Sequence, residues 1–472
     1  MGYTATKKFL LLDFPAELVQ KILFHMVIAR GVKRALRLRL VCKLFSYEIQ
    51  PALFESRLLD KFDTSKILAD WYTQNDHGAS KLWHSYLAYR VHIGTSPSQP
   101  RFLAIRQVAE RVRAETGADL ELTISSLCWP ALLPGTASGT DSVLAKQPVD
   151  QELDLLCAAA YLHLVPLARR LIQEKVSPTA ESQLFSSPMR LAAWAGNSQI
   201  LEMFQEHLPE LEGIDPNRVN DPCSRWKVGP ASMEGAAIRG DMEMVRLAVY
   251  PPSRVNPNFT DLTGQIYGNA NGSRHMGNAL FQAQYATKNF EVYRYFDKFL
   301  AMPTKDHFTW TLTRYASRGN LEMVRYALDA GADIRGSSGR EGNPLSIACR
   351  RCHKDVVDLL LERGADPNFE GDEGITQGET AIIMAACGGS LDIVRKLVDH
   401  GADLRRERMG MEVCFIALCR AVAIEHTEMV KFFLGSGIDL DIYGEALLKT
   451  ALDRGLDSMA EIFRREGPTL GS

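Results

Sequence analysis

Long apolar runs are missing from this chain of 472 residues. Nothing in it approaches the roughly 18 to 20 consecutive apolar residues that span a bilayer, so no integral membrane association is expected. A bias towards one sign of charge is missing too. The formal charge of −3 excludes the basic footprint of a nucleic-acid binder, and 46% hydrophobic residues exclude a disordered class. The N-terminus lacks the longer apolar segment and small-residue cleavage site of a secretory signal. The nine cysteines are odd in number and scattered, so they read as reduced thiols within helices and not as a disulfide framework. The expected compartment is the cytoplasm, the nucleus or both.

Signatures of catalysis are equally scarce. There is no Gly-rich phosphate cradle and no nucleophile elbow. Candidate acids and bases such as Asp306, His307 and His400 fall at turns and helix ends, where dipole compensation and solvation account for them. Cys349-Arg350-Arg351-Cys352-His353 has the spacing for covalent haem attachment, but it falls on the first helix and turn of a repeated unit. No second Cys or His pair stands at the spacing that zinc needs. Asn258-Phe259-Thr260 and Asn271-Gly272-Ser273 are glycosylation sequons in form only. Met1-Gly2-Tyr3-Thr4-Ala5-Thr6 fits the loose N-myristoylation pattern, against which the bulky Tyr3 counts. The expectation is a non-enzyme with no cofactor and no metal.

What the chain does have is a recurring tripeptide. Gly331-Ala332-Asp333, Gly364-Ala365-Asp366 and Gly401-Ala402-Asp403 are followed by a worn copy, Gly437-Ile438-Asp439. Twelve positions before each glycine a short helical run ends. A fixed period of this kind means stacked units. In the segment from Thr311 to Ile334, Leu312, Tyr315 and Ala316 share one face of a first helix, and Gly319-Asn320 breaks it. Glu322 then opens a second helix with Val324, Ala327 and Leu328 as its buried stripe, and Gly331 ends it. One such module has too little apolar surface to stand alone, so a stack is required.

The pattern resembles the ankyrin repeat. Asn343-Pro344-Leu345-Ser346 with Ala348, the run from Val356 to Leu361, and Gly364-Ala365-Asp366-Pro367-Asn368 carry the resemblance best. Thr380-Ala381-Ile382 with Ala385-Ala386, Gly389 and the run from Ile393 to Val398 carry it nearly as well. Weaker copies follow Leu156, Pro188, Ala236, Ala279, Leu418 and Leu448, giving about nine units over 150–467, the clearest in 308–440.

The N-terminal segment does not repeat. Pro15 and Glu17 suit a first helical turn, and Leu18, Ile22, Leu23 and Met26 fall on one helical face. A second helix reads from Leu36, Leu40 and Leu44 along one row, with Val41 and Phe45 along the next. Phe14-Pro15-Ala16-Glu17-Leu18, the run from Leu38 to Phe45, and the run from Ile49 to Phe54 together resemble an F-box. The departures are Phe14 in place of leucine and the basic Arg30-Gly31-Val32-Lys33-Arg34 where many members are acidic. The resemblance implies a small bundle over 10–57 that packs on the Skp-family adaptor of a cullin ligase. It would place Pro15, Leu18, Ile22, Leu23, Val41, Cys42 and Phe45 as adaptor-facing and core residues.

Between the two lies a helical region, 58–133, with expected helices from Phe62 to Tyr72, Lys81 to Val91 and Arg101 to Glu115. Its Trp71, Tyr72, Trp83, Tyr86 and Tyr89 read as an aromatic core joining two domains, with a binding surface as the alternative. Segment 134–149 reads as a flexible linker. The fold class is therefore all-α: an F-box-like bundle followed by an ankyrin-repeat solenoid with short hairpin loops. The expected function is protein–protein interaction, with the bundle docking on the adaptor and the solenoid holding an unknown protein target. The alternative is a non-catalytic scaffold whose bundle is only structural. Long connections between copies supply the target-binding candidates Arg225, Trp226, Lys227, Tyr267, Arg274, His275, Arg405, Arg406 and Arg408, since Trp, Tyr and Arg dominate interfaces.

Overall fold

Apolar residues at three- and four-residue spacing, interrupted by turn residues, give a series of short antiparallel helices. The computed structural model describes residues 14–39, 41–61, 78–93, 100–132, 150–212, 232–249, 283–297, 305–336, 342–370, 380–408, 410–438 and 440–466. They divide into two units, residues 1–287 and 288–472. The expected helix from Phe62 to Tyr72, the linker 134–149, and Ala279 with Leu280 from a weaker copy lie outside the described residues.

In the second unit, Phe290–Asp297 precedes the pairs Lys305–Arg318 with Leu321–Asp329, Pro344–Arg350 with Lys354–Glu362, Ala381–Gly388 with Leu391–Asp399, Val413–Ala423 with Thr427–Gly435, and Leu440–Asp453 with Asp457–Glu466. Backbone conformation repeats with the sequence. Gly319, Cys352, Gly389 and Glu425 turn the chain between paired helices with φ of 71°, 60°, 84° and 57°. Twelve residues on, Gly331, Gly364, Gly401 and Gly437 end the second helices with φ between 86° and 89°. At these ends the amide of Ala332 donates to the carbonyl of Ala327 at 3.0 Å, and those of Ala365 and Ala402 donate to Leu360 and Leu397 at 2.9 Å. Left-handed backbone costs an L-residue about 1–2 kcal/mol, which is why glycine stands at all four closing positions.

Burial follows the same register. Five residues after each turn residue stand Val324, Val357, Val394 and Val430, and eight after it Ala327, Leu360, Leu397 and Phe433, all fully buried. Each of the larger side chains contributes about 1.5–3 kcal/mol by leaving water. Side chains cap the second helices: Asn320 accepts from the amide of Met323 at 3.1 Å, and His426 Nδ1 from that of Met429 at 3.2 Å. Among the described residues the one departure from an all-α architecture is a two-residue hairpin, Glu407–Arg408 with Met411–Glu412, inside the connection before Val413.

In the first unit, Gln151–Tyr161 pairs with Val165–Gln173, Pro188–Ala195 with Ser198–Glu212, and a helix at 232–239 with Met242–Val249. The helix Pro100–Thr116 packs on Gln151–Tyr161, and Arg111 reaches Glu152 at 2.9 Å. The outer face of that first pair is therefore covered by the intermediate helices and not by the N-terminal bundle. Gly78–Ile93 and Leu120–Cys128 complete this layer.

The N-terminal segment contains Ala16–Leu38 and Lys43–Glu55, and the first of these is broken at Gly31, whose φ of 72° and ψ of 172° are non-helical. That conformation is essentially restricted to glycine. The second helix does not run from Leu36 through Leu44 as the row of leucines suggested. A turn bond from the amide of Val41 to the carbonyl of Leu38, 3.1 Å, ends the first segment. Extended backbone at Cys42 then starts a new helix, on which Phe45, Ile49 and Leu53 face the core.

Candidate interaction surfaces

The apolar residues of the N-terminal segment divide into two groups. Leu23 and Phe45 are buried with Val19, Val27 and Ile49, and Ile22 and Cys42 are half-buried. Pro15, Leu18 and Val41 face solvent, the last two at 46% and 64% exposure. Phe14, Leu44 and Tyr47 are exposed as well, and of these Tyr47 has no counterpart among the expected site residues. Val41, Leu44 and Tyr47 recur at intervals of three across the start of the second helix, which is the signal that could have revealed them. Gln20 donates to Glu48 at 3.1 Å, tying the first helix to the second. Large apolar side chains are exposed elsewhere as well, among them Leu122, Ile442 and Leu452, so the N-terminal group differs in being gathered on and beside two consecutive helices.

The aromatic cluster behind this bundle is core. Phe54 packs at a tilt against Tyr86 and Tyr89, at centroid distances of 5.2 and 5.5 Å. Tyr86 donates to Asp60 at 2.7 Å, Arg90 pairs with the same carboxylate, and Trp83 is buried beside them. Trp71 and Tyr72 lie outside the described residues.

The hairpin arginines are tied to their own stack. Arg405 donates to Glu412 at 3.1 Å and to the carbonyls of Ser436 and Gly437 at 3.1 and 2.7 Å, one repeat further on. Arg406 donates to the carbonyl of Asn368 at 3.0 Å and pairs with Glu370 at 3.2 Å, one repeat back. Arg408 sits in the short hairpin, paired across it with Met411. Asn368 completes this ladder by donating to Gly401 and accepting from the amide of Asp403, at 2.8 and 2.7 Å. Arg225, Trp226, Lys227, Tyr267, Arg274 and His275 lie outside the described residues.

The haem-like cysteines serve packing. Cys349 is fully buried and its thiol is pushed well up by burial, while Cys352 donates to the carbonyl of Gly388 at 3.3 Å. His353 Nε2 stands 3.0 Å from the carbonyl of Ser317. Helix-end carbonyls left without intrahelical partners are thus met by the neighbouring repeat. His307 is buried against Tyr293, 3.3 Å from its hydroxyl, and His400 Nδ1 lies 2.9 Å from the Lys396 carbonyl. Among the described residues no cluster of His, Cys, Asp and Glu could hold a metal ion, and no helix is long and apolar enough to cross a membrane.

The family model for ankyrin repeats matches residues 285–371 and 369–444, the span in which the left-handed turns and the buried valines keep register. Residues 285–444 are ankyrin repeats. Curated relatives align with segments of this chain of a similar length. Alpha-latrocrustotoxin-Lt1a from Latrodectus tredecimguttatus is 28% identical over 158 residues, 32% of this chain and 11% of the toxin. The ankyrin repeat and KH domain-containing protein mask-1 of Caenorhabditis elegans is 30% identical over 137 residues, 29% of this chain and 5% of that protein. The putative ankyrin repeat protein FPV031 of fowlpox virus is 31% identical over 129 residues, 27% of this chain and 37% of the viral protein. The chain therefore spans only a minor part of the length of these relatives.

Proposed function

We propose that this protein is a non-catalytic receptor that holds a target protein on its ankyrin repeats while its N-terminal bundle docks on a Skp-type adaptor of a cullin ubiquitin ligase. The observation that carries the reading is the division of the F-box-like residues. Leu23 and Phe45 form the core, and Leu18 and Val41 stand exposed at one end of the chain. Packing of Pro100–Thr116 on the first helix pair supports it, because the bundle is not needed as the cap of the solenoid. The contribution of the chain is proximity: two linked sites raise the local concentration of target near a transferase supplied by other subunits. Such a receptor works in the cytoplasm or nucleus.

The test is capture of a purified Skp-family adaptor by the full chain. Leu18→Asp with Val41→Asp is expected to abolish capture without lowering the melting temperature, because both side chains already face water. Ile28→Asp, at another exposed position, is the control. No capture by the wild-type chain removes the ligase reading and leaves a scaffold.

A further inference from the structure

We propose that the cavity between Pro100–Thr116 and Gln151–Tyr161 binds a primary alkylammonium group, seated on the carboxylate of Asp154 with its alkyl stem along the first of these helices. The inference is independent of the receptor reading, because neither the N-terminal bundle nor residues 285–444 line the cavity.

The starting observation is a buried charge without a counter-charge. Asp154 is 3% exposed, and an ionised carboxylate is rarely buried to that extent unless a cation or several donors hold it. Oδ1 accepts from the Ser182 hydroxyl. That hydroxyl is itself fixed as a donor, because its oxygen accepts from the amides of Leu184 and Phe185 at 3.0 Å each. Among the described residues Oδ2 has no hydrogen-bond partner and no cation pairs with Asp154. The surrounding charges have the same sign. After burial itself, the charges of Asp154, Glu181 and Asp150 push up the thiol of Cys157, three residues on.

The cavity supplies the room. Its volume is about 340 Å³, and Ala104, Val108 and Ala114 line it together with Asp154. These three recur along one face of Pro100–Thr116 and give it an alkyl wall. Glu110 and Arg111 line it too, but Glu110 pairs with Arg106 at 3.0 Å and Arg111 donates to Glu152 at 2.9 Å. Asp154 is left as the carboxylate with an open position.

That combination selects the ligand. A calcium-type cation takes about six to eight oxygen ligands, and no group of three or more His, Cys, Asp and Glu among the described residues could hold a metal ion. A guanidinium is best met by two acceptors side by side, and Ser182 already occupies one of the two oxygens. A primary ammonium is a compact point charge on an apolar stem, which one oxygen and an aliphatic wall satisfy. It can come from a lysine side chain of a bound protein or from a free alkylamine.

The probes are Nα-acetyl-lysine methylamide and cadaverine, each titrated into the full chain by calorimetry at constant ionic strength. Saturable binding of at least one is expected. Binding of the lysine derivative identifies a protein side chain as the source, and binding of cadaverine alone identifies a free amine. Asp154→Asn is expected to weaken binding at least about tenfold. Ala114→Leu, at an exposed position that narrows the cavity without touching the carboxylate, is expected to weaken it as well. Between about pH 7.5 and about pH 5 binding by the wild type should fall, because Asp154, held at about 6, takes up a proton while the amine stays charged. Asp150, Glu152, Glu181, Glu110 and Arg111 are unchanged in Asp154→Asn, so loss of this pH dependence in that variant assigns it to Asp154. The proposal is overturned if neither amine binds, if Asp154→Asn binds as tightly as the wild type, or if the neutral Nε-acetylated lysine derivative binds as well as the charged one. The last comparison needs only the wild-type chain, so it decides even where a substitution impairs folding.

Discussion

The guanidinium of Arg405 donates to the carbonyl of Gly437 at 2.7 Å, clamping the hairpin of one repeat onto the end of the next repeat's second helix. It also donates to the carbonyl of Ser436 and to Glu412 at 3.1 Å each. The side chain is 53% exposed. Hydrogen bonds from a charged donor are worth about 1.5–3 kcal/mol when shielded, and solvent screening reduces the expected cost of Arg405→Ala to about 1 kcal/mol. A lower urea midpoint with unchanged target capture is the expected result. Lost capture at unchanged stability would return Arg405 to the binding surface.

His353 and Gly319 are expected to be coupled. A Cβ on Gly319 would lie 2.5 Å from Nδ1 of His353, and the φ of 71° there adds left-handed strain. Gly319→Ala should cost more than about 1 kcal/mol. His353→Ala should recover part of that loss when combined with it, although alone it costs about 1 kcal/mol by leaving the Ser317 carbonyl without this partner. Chemical denaturation of the two single variants and the double variant measures the coupling; strict additivity would show that the ring does not occupy that space.

Lys175 stands where other repeats place glycine. Its φ is 64°, and it closes Val165–Gln173 with bonds from its own amide to the Ile172 carbonyl at 2.9 Å and from Val176 to Leu171 at 3.1 Å. Lys175→Gly is expected to stabilise the chain by about 0.5–1 kcal/mol, and Gly401→Ala to destabilise it by about 1 kcal/mol. Melting temperatures moving in the same direction for both would refute the shared conformational cause.

Asp154 is buried beside Ser182, whose hydroxyl donates to it. Its carboxyl is pushed up to about 6 chiefly by burial, against the Ser182 hydrogen bond and with the charge of Asp150 adding. The folded value lies above the ordinary one, so the folded chain holds this proton more tightly. The resulting stability is fully present below about pH 4 and is lost as pH rises through about 6, a difference of about 2–3 kcal/mol. Asp154→Asn keeps the acceptor and removes the charge. The wild type should lose stability relative to this variant between about pH 4 and pH 6; parallel curves would sink the assignment.

Much of the repeat was legible because it is local. Gly331, Gly364 and Gly401 are required by backbone conformation, and the valines and leucines after each turn are required by helical spacing. The turn at Val41 and Cys42 was not legible, since the leucine row from Leu36 to Leu44 continues the helical pattern across it. Arg405 and Arg406 were read as surface because arginines in a long connection look exposed. Their carbonyl partners lie in the neighbouring repeats, where no local pattern reaches.

The sequence by itself determined the unit and its register, because the left-handed turns, the helix ends and the buried stripe depend on residues within a few positions of one another. Tertiary structure decided how apolar and charged side chains are divided between inside and outside. It buried Leu23 and exposed Leu18 on the same helical face, set Pro100–Thr116 against the first pair, and joined Arg405 and Arg406 to carbonyls of the neighbouring repeats. Those outcomes depend on which elements pack together, and packing joins residues that are far apart in the chain.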